Sequence, residues 1–141
     1  PLLIHPLWVV VLCYSLFAVV LGLTLSVVFQ LAHCVEEAEF PILSEGATDV
    51  DKAWAVHQVE TTVDFCRGNR VITWLLGGLN YQIEHHLFPT ICHSNYPAIS
   101  VLVKETCHDF RIPYKEHPTF WAGMRSHFRW LRRMGAQVTV G

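Results

Sequence analysis

Apolar residues run almost unbroken from Leu7 to Ala32 (LWVVVLCYSLFAVVLGLTLSVVFQLA), 26 residues with no charge and Gln30 as the one strongly polar side chain. About 20 apolar residues carry a helix across a bilayer core. The run has no polar face, which argues against a core helix of a soluble protein. It predicts a transmembrane helix with some tilt. Pro6 suits its first turn, where a missing N–H costs nothing. Pro1–Ile4 reads as the last turn of a preceding span, with His5-Pro6 as the turn between them. No basic stretch precedes the run and no small-residue cleavage site follows it, so it does not read as a signal peptide.

Beyond the span the pattern changes period. Glu36–Asp51 reads as a polar surface loop. Val56, Val59, Val63 and Cys66 recur at helical spacing, predicting a helix over 54–69 that Gly68-Asn69 ends. Val71–Leu79 is too short to cross a membrane and reads as buried or interfacial. Asn80 is placed to cap a short helix through Phe88, stopped by Pro89. Residues 97–110 form another helix, with Ile99, Leu102, Val103 and Thr106 on one face. A last helix covers 119–134, with Gly135 as its terminator. On that helix Arg125, Arg129, Arg132 and Arg133 share an arc of roughly 100° beside Phe120, Trp121, Met124, Phe128 and Leu131. Two readings stay open: an interfacial helix on an anionic leaflet, or a helix packing its apolar side on the domain. The fold class expected is all-α and integral to the membrane.

Composition agrees: 52% of the 141 residues are hydrophobic and 16% charged, against about 25% charged in soluble domains. Charge is uneven. Glu36 to Asp64 holds eight acidic residues and one basic, Lys52, whereas Lys104 to Arg133 holds seven basic and three acidic. All Lys and Arg follow the span, which places its C-terminal end on the cytoplasmic side. Five cysteines without a CxxC pair suit free thiols on a reducing side. The chain begins without Met inside apolar sequence and is expected to be a fragment of a longer membrane protein.

The chemistry concentrates in GGLNYQIEHHLFPTICHSNYP, residues 77–97. If Tyr81–Leu87 is helical, Gln82 lies one turn below His85 and His86, whose imidazoles diverge by roughly 100°. Neutral imidazoles bind iron, zinc or copper. His33, at the end of the span, is a third candidate ligand, because an ionisable group at such a depth is a functional hypothesis by default. Each has a plainer reading as a satisfied interior or wet interfacial histidine. Three ligands are too few for two metals, so the rest of a two-metal site would lie outside this chain. His57 and Gln58 are weaker candidates, read first as a polar face beside Thr61 and Thr62. Cys92-His93 reads as a structural loop. No HExxH, CxxC, GxSxG or GxGxxG occurs, and the arginines lack a nucleic-acid-binding context.

GGLNYQIEHHLFPTICHSNYPAIS resembles the third histidine box of membrane fatty acyl desaturases. The nearest likeness is to the front-end branch, in which HxxHH reads QxxHH. VFQLAHCVEEAEFP (28–41) and WAVHQVETTVDF (54–65) resemble the stretches that precede that box. The resemblance implies a histidine-rich enzyme with two non-haem irons, O2 as co-substrate, four spans and a helical cytoplasmic cap. This chain would then be its C-terminal part: residues 1–33 the end of the transmembrane region (main span about 7–32), and 34–141 the cap. The cap would carry the box (82–86) and the basic amphipathic helix (119–134). His33, His85 and His86 would ligate iron, and Gln82 would do so weakly or through water. His57, Gln58, Asn80 and Glu84 would support the ligands or contact substrate.

The same resemblance implies a fatty acyl substrate, Δ6 or Δ5 regiochemistry before Δ8, and electrons from a cytochrome b5 or a ferredoxin. It also implies contact with membrane lipid and no nucleic acid. The HxxxH and first HxxHH boxes would precede Pro1, so the fragment alone would be inactive. Leu76, Leu79, Ile83, Leu87 and Phe88 are candidates for an acyl tunnel, with core packing the plainer reading. The alternatives are a di-iron hydroxylase on the same scaffold and a non-catalytic zinc-binding membrane protein.

Overall fold

A computed structural model describes residues 1, 3–40 and 54–137. Helix α1 (Leu7–His33) is the predicted span and exceeds it by one residue. It is the one helix among the described residues long and apolar enough to cross a membrane. Most of its side chains are exposed; only Val28, Leu31 and Ala32 are buried. The predicted entry turn is present, since the Ile4 and His5 amides both donate to the Pro1 carbonyl.

The remainder is a small cap built against the C-terminal end of α1. Its elements are α2 (Trp54–Glu60), β1 (Asp64–Phe65), α3 (Arg70–Leu75), α4 (Gln82–Leu87), a 3-10 turn (His93–Asn95), α5 (Tyr96–Asp109), β2 (Glu116–His117) and α6 (Phe120–Gln137). Strands β1 and β2 pair in parallel, Asp64 opposite Glu116 and Phe65 opposite His117. The α3–α5 segment is thereby closed into a loop. One core cluster joins Val28 and Leu31 of α1 to Phe65 and Cys66, with Phe120 and Met124 of α6 packed on it. A second joins Val59, Ile83, Val103 and Cys107.

The helix expected over 54–69 stops at Glu60. Thr61, Thr62 and Val63 are β-branched and favour extended backbone. The next amides are engaged elsewhere: Val63 N donates to Ala32 O, Asp64 N to Lys115 O and Cys66 N to His117 O. Tertiary pairing overrides the helical spacing there. Asn80 does not cap the histidine helix. Its amide donates to Cys66 O and Thr73 Oγ1, and Tyr81 occupies the cap position without a side-chain bond. Val71–Leu79 overlaps α3 and the turn after it, with Val71, Trp74 and Leu75 exposed. Gly135 does not end the last helix, which continues to Gln137. The helix expected over 97–110 appears as α5, one residue earlier at each end. Of the expected 36–51 loop, residues 41–51 lie outside the described residues. The five cysteines are unpaired, as expected.

Candidate metal centre

Three of the candidate ligands converge. The last residue of α1, His33, lies against α4, with its ring centroid 5.0 Å from that of His86; the His85 and His86 rings are 5.8 Å apart. The planes of the His85 and His86 rings are near-perpendicular, at 84°.

In all three rings Nδ1 is the nitrogen with a protein partner. His33 Nδ1 is 3.5 Å from Thr61 O, and His86 Nδ1 is 2.9 Å from Gln58 Oε1. Both partners are oxygens that only accept, so Nδ1 carries the hydrogen and Nε2 keeps its lone pair. His85 Nδ1 is 3.3 Å from the Tyr96 hydroxyl. His33 Nε2 is buried with no hydrogen-bond partner. Burial lowers the His86 pKa to about 4, with the His33 and His85 rings acting in the same direction, so this ring is neutral at physiological pH. Neutral rings with Nδ1 tied and Nε2 free are the form that accepts a metal.

The other expected site residues divide. Gln58 reaches the centre through His86. His57, on the same helix, keeps a buried Nδ1 without a partner. Gln82 is buried and donates from Nε2 to Leu79 O at 2.8 Å, which leaves the amide oxygen as the atom it could offer a metal. Asn80 contacts none of the imidazoles named here; its bonds tie the turn before α4 to the Cys66 turn. Glu84 points away from its histidine neighbours to Tyr114. Among the described residues no group of three or more His, Cys, Asp or Glu side chains is arranged as a metal cage.

Behind α4 is a buried polar cluster that the sequence pattern did not reveal. Asp64 Oδ1 accepts from Ile83 N at 3.0 Å, a side chain from β1 serving an amide in the first turn of the histidine helix. The Tyr114 hydroxyl lies 2.6 Å from Asp64 Oδ2 and 3.0 Å from Glu84 Oε1. A phenol has one hydrogen, so it donates to one carboxyl and can accept from the other if that one is protonated. Burial, the largest influence on each, raises the pKa of both Asp64 and Glu84. The Arg67 guanidinium, 5.3 Å from the Tyr114 ring centre, adds a positive charge beside them. No local signal marks this cluster, because its members are brought together by the β1–β2 pairing.

The tunnel candidates split between two cores. Leu76 and Leu79 pack on the α1 cluster, whereas Ile83, Leu87 and Phe88 belong to the second. Leu87 and Phe88 also line an apolar pocket of about 500 Å³ between α2, α4 and α5, with Val59, Ile99 and Val103 among its other walls.

The fatty acid desaturase family profile matches residues 1–118. An sn-1 linoleoyl-lipid 6-desaturase of Arthrospira platensis is 47% identical over 80% of this chain and 30% of its own length. An acyl-lipid (8-3)-desaturase of Physcomitrium patens is 43% identical over 86% of the chain and 25% of its own length. A Delta(5) fatty acid desaturase A of Dictyostelium discoideum is 36% identical, with 88% and 28% covered. The chain thus spans about a third or less of these relatives. No solved structure matches. A profile match over most of the chain and relatives of this similarity lead to one conclusion: the chain belongs to the fatty acid desaturase family.

Proposed function

We propose that this chain is the C-terminal part of a membrane-bound acyl desaturase of the front-end type, and that His33, His85 and His86 supply part of a non-haem di-iron centre. The observation that carries the reading is the shared state of the three rings, each with Nδ1 engaged and Nε2 available. The residues fit a metal: an orphaned, buried Nε2 on His33 is a donor atom without a partner, and a free lone pair in a dry place is costly unless it is used. The remaining ligands would come from the part of the protein that precedes this chain.

Bound iron would supply oxidation by O2, removing one hydrogen from each of two adjacent acyl carbons, with two electrons from a cytochrome b5 or a ferredoxin. The work of this chain is positional. Gln58 and the Thr61 carbonyl hold two imidazoles in the tautomer that points Nε2 at the metal. Asp64 holds the first turn of α4, so the histidines leave the cap at a fixed angle. The apolar walls around Leu87 and Phe88 suit an acyl chain and keep water from the oxidising site. Gln82 offers a neutral amide oxygen, a weaker donor than the imidazole that stands in HxxHH boxes. The names of the relatives favour action on an acyl chain of a lipid, at the 6 or 5 position, and the Lys and Arg residues, all of which follow α1, favour a box on the cytoplasmic side.

The test is expression of the intact parent protein in a host without polyunsaturated fatty acids, fed linoleic acid. Gas chromatography with mass spectrometry should find a triene with the new double bond nearer the carboxyl end, absent in His86→Ala. A hydroxylated product would instead indicate an oxygenase, and purified protein holding zinc without iron would remove the di-iron reading.

A further inference from the structure

Helix α6 has two faces with different partners. Gly123, Ser126 and His127 are buried. Gly123 comes so close to α1 that an added Cβ would lie 3.4 Å from Leu31 Cδ2. On one flank Arg129 and Arg133 pair with Glu36, Arg129 Nε at 2.6 Å. Opposite the buried side, Trp121, Arg125, Phe128 and Arg132 follow one another at spacings of four, three and four. At 100° per residue they fall within roughly 60° of arc. Trp121 is 73% and Phe128 60% exposed, and Arg125 and Arg132 form no ion pair among the described residues.

The depth of this stripe follows from α1. Twenty-seven helical residues extend about 40 Å, whereas the hydrocarbon core is about 30 Å thick. The ends of α1 therefore emerge into the headgroup layers. Burial along α1 begins at Val28, where Phe120 and Met124 of α6 pack. The start of α6 thus lies at the level where α1 leaves the hydrocarbon. Exposed Trp121 at that level, followed along the stripe by Phe128 and by two arginines that pair with no described residue, fits the boundary between acyl chains and phosphates. The family profile ends at residue 118, just before α6. An acidic soluble protein would match the arginines but gives no reason for two large aromatics between them.

We propose that the Trp121–Arg125–Phe128–Arg132 stripe is a lipid-binding surface that seats α6 in the headgroup layer and prefers anionic phospholipids. The aromatics would enter the upper acyl region and each free arginine would take a lipid phosphate. The helix would thereby join the cap to the membrane at a second point besides α1, through residues the proposed chemistry does not use.

The test uses the intact parent protein in vesicles of phosphatidylcholine with and without phosphatidylglycerol. A photo-reactive residue is introduced as Phe128→p-benzoylphenylalanine, with Glu105→p-benzoylphenylalanine on exposed α5 as control. After irradiation, adducts are identified by mass spectrometry. The expected result is phospholipid on 128 and not on 105, with phosphatidylglycerol enriched several-fold over its share of the vesicle. That enrichment should vanish in R125Q/R132Q protein whose acyl-chain turnover is intact. Adducts from 128 to the protein's own upstream segments, to a co-purified electron carrier or to nothing would overturn the proposal. Equal capture of both lipids would overturn the anionic preference.

Discussion

Gln58 presents its amide oxygen to His86 Nδ1 across 2.9 Å, bridging two helices that are 28 residues apart in sequence at these positions. The bond selects which nitrogen of His86 carries hydrogen, and so which one faces the proposed metal. Gln58→Leu keeps much of the bulk and removes the acceptor. Groups of this kind are worth about 10- to 100-fold in metal affinity or activity. Iron content and turnover of the intact protein should fall by that order in Gln58→Leu and recover largely in Gln58→Glu. Equal iron in all three proteins would separate Gln58 from the centre.

Asp64 supports the same helix from behind, through Ile83 N and Tyr114. In Asp64→Ala the Ile83 amide and the Tyr114 hydroxyl lose a partner inside a buried region, at about 1–3 kcal/mol for each group left unsatisfied. Thermal unfolding of the intact protein in detergent should show a clearly lower midpoint for Asp64→Ala. Asp64→Asn keeps an acceptor for Ile83 N and should lie between. Unchanged midpoints in both would mean that α4 is held by other contacts.

Two neighbouring glycines offer a controlled comparison. Gly77 and Gly78 both have positive φ, +56° and +80°, but a Cβ on Gly77 meets nothing, whereas one on Gly78 would sit 2.7 Å from His93 Cβ and 3.3 Å from Tyr96 Cδ2. Left-handed backbone costs an ordinary residue about 1–2 kcal/mol, and Gly77→Ala should lose only that. Gly78→Ala should lose more, and because it displaces Tyr96, the hydroxyl partner of His85, turnover should fall as well as stability. Identical stability curves for the two variants would dismiss the close approach.

For Gln82→His we expect partial activity to survive. The present amide donates to Leu79 O, a bond an imidazole Nδ1–H can also make, and an imidazole is a stronger ligand. Product yield by gas chromatography is the readout. A dead Gln82→His protein that still folds and holds iron would give the amide a specific part of its own.

Local sequence was enough for the span and for the histidine pair. The end of α1 was expected at Ala32 and lies at His33, because an uncharged run long enough to cross a bilayer leaves little choice of structure. His85 and His86 diverge as adjacent helical residues must. Val63 and Cys66, by contrast, have helical spacing and extended or turn backbone, since the bonds that decide their conformation go to Ala32 and His117. The same holds for the support of the site. Gln58 looked by spacing like part of a polar face and only the family resemblance marked it as a support for the ligands, and Asp64 and Tyr114 carried no signal, because each acts on a partner far along the chain. Asn80 shows the reverse error: its position before a helix suggested a cap, yet Cys66 O and Thr73 Oγ1 take its amide.

The two-residue pairing of β1 with β2 sets an order of assembly. Asp64 and Phe65 meet their strand partners Glu116 and His117 about fifty residues later, and contacts so distant in sequence form after local ones. At ordinary rates of synthesis, roughly 5–20 residues per second, α1 can insert seconds before the strand that closes the cap has been made. Until then Tyr114 is missing from the cluster behind α4, and Asp64 and Glu84 lack the hydroxyl that lies between them. The support behind the histidine helix is therefore among the last parts of this chain to be completed, and a ribosome stalled before residue 114 would leave Asp64 and Glu84 without it.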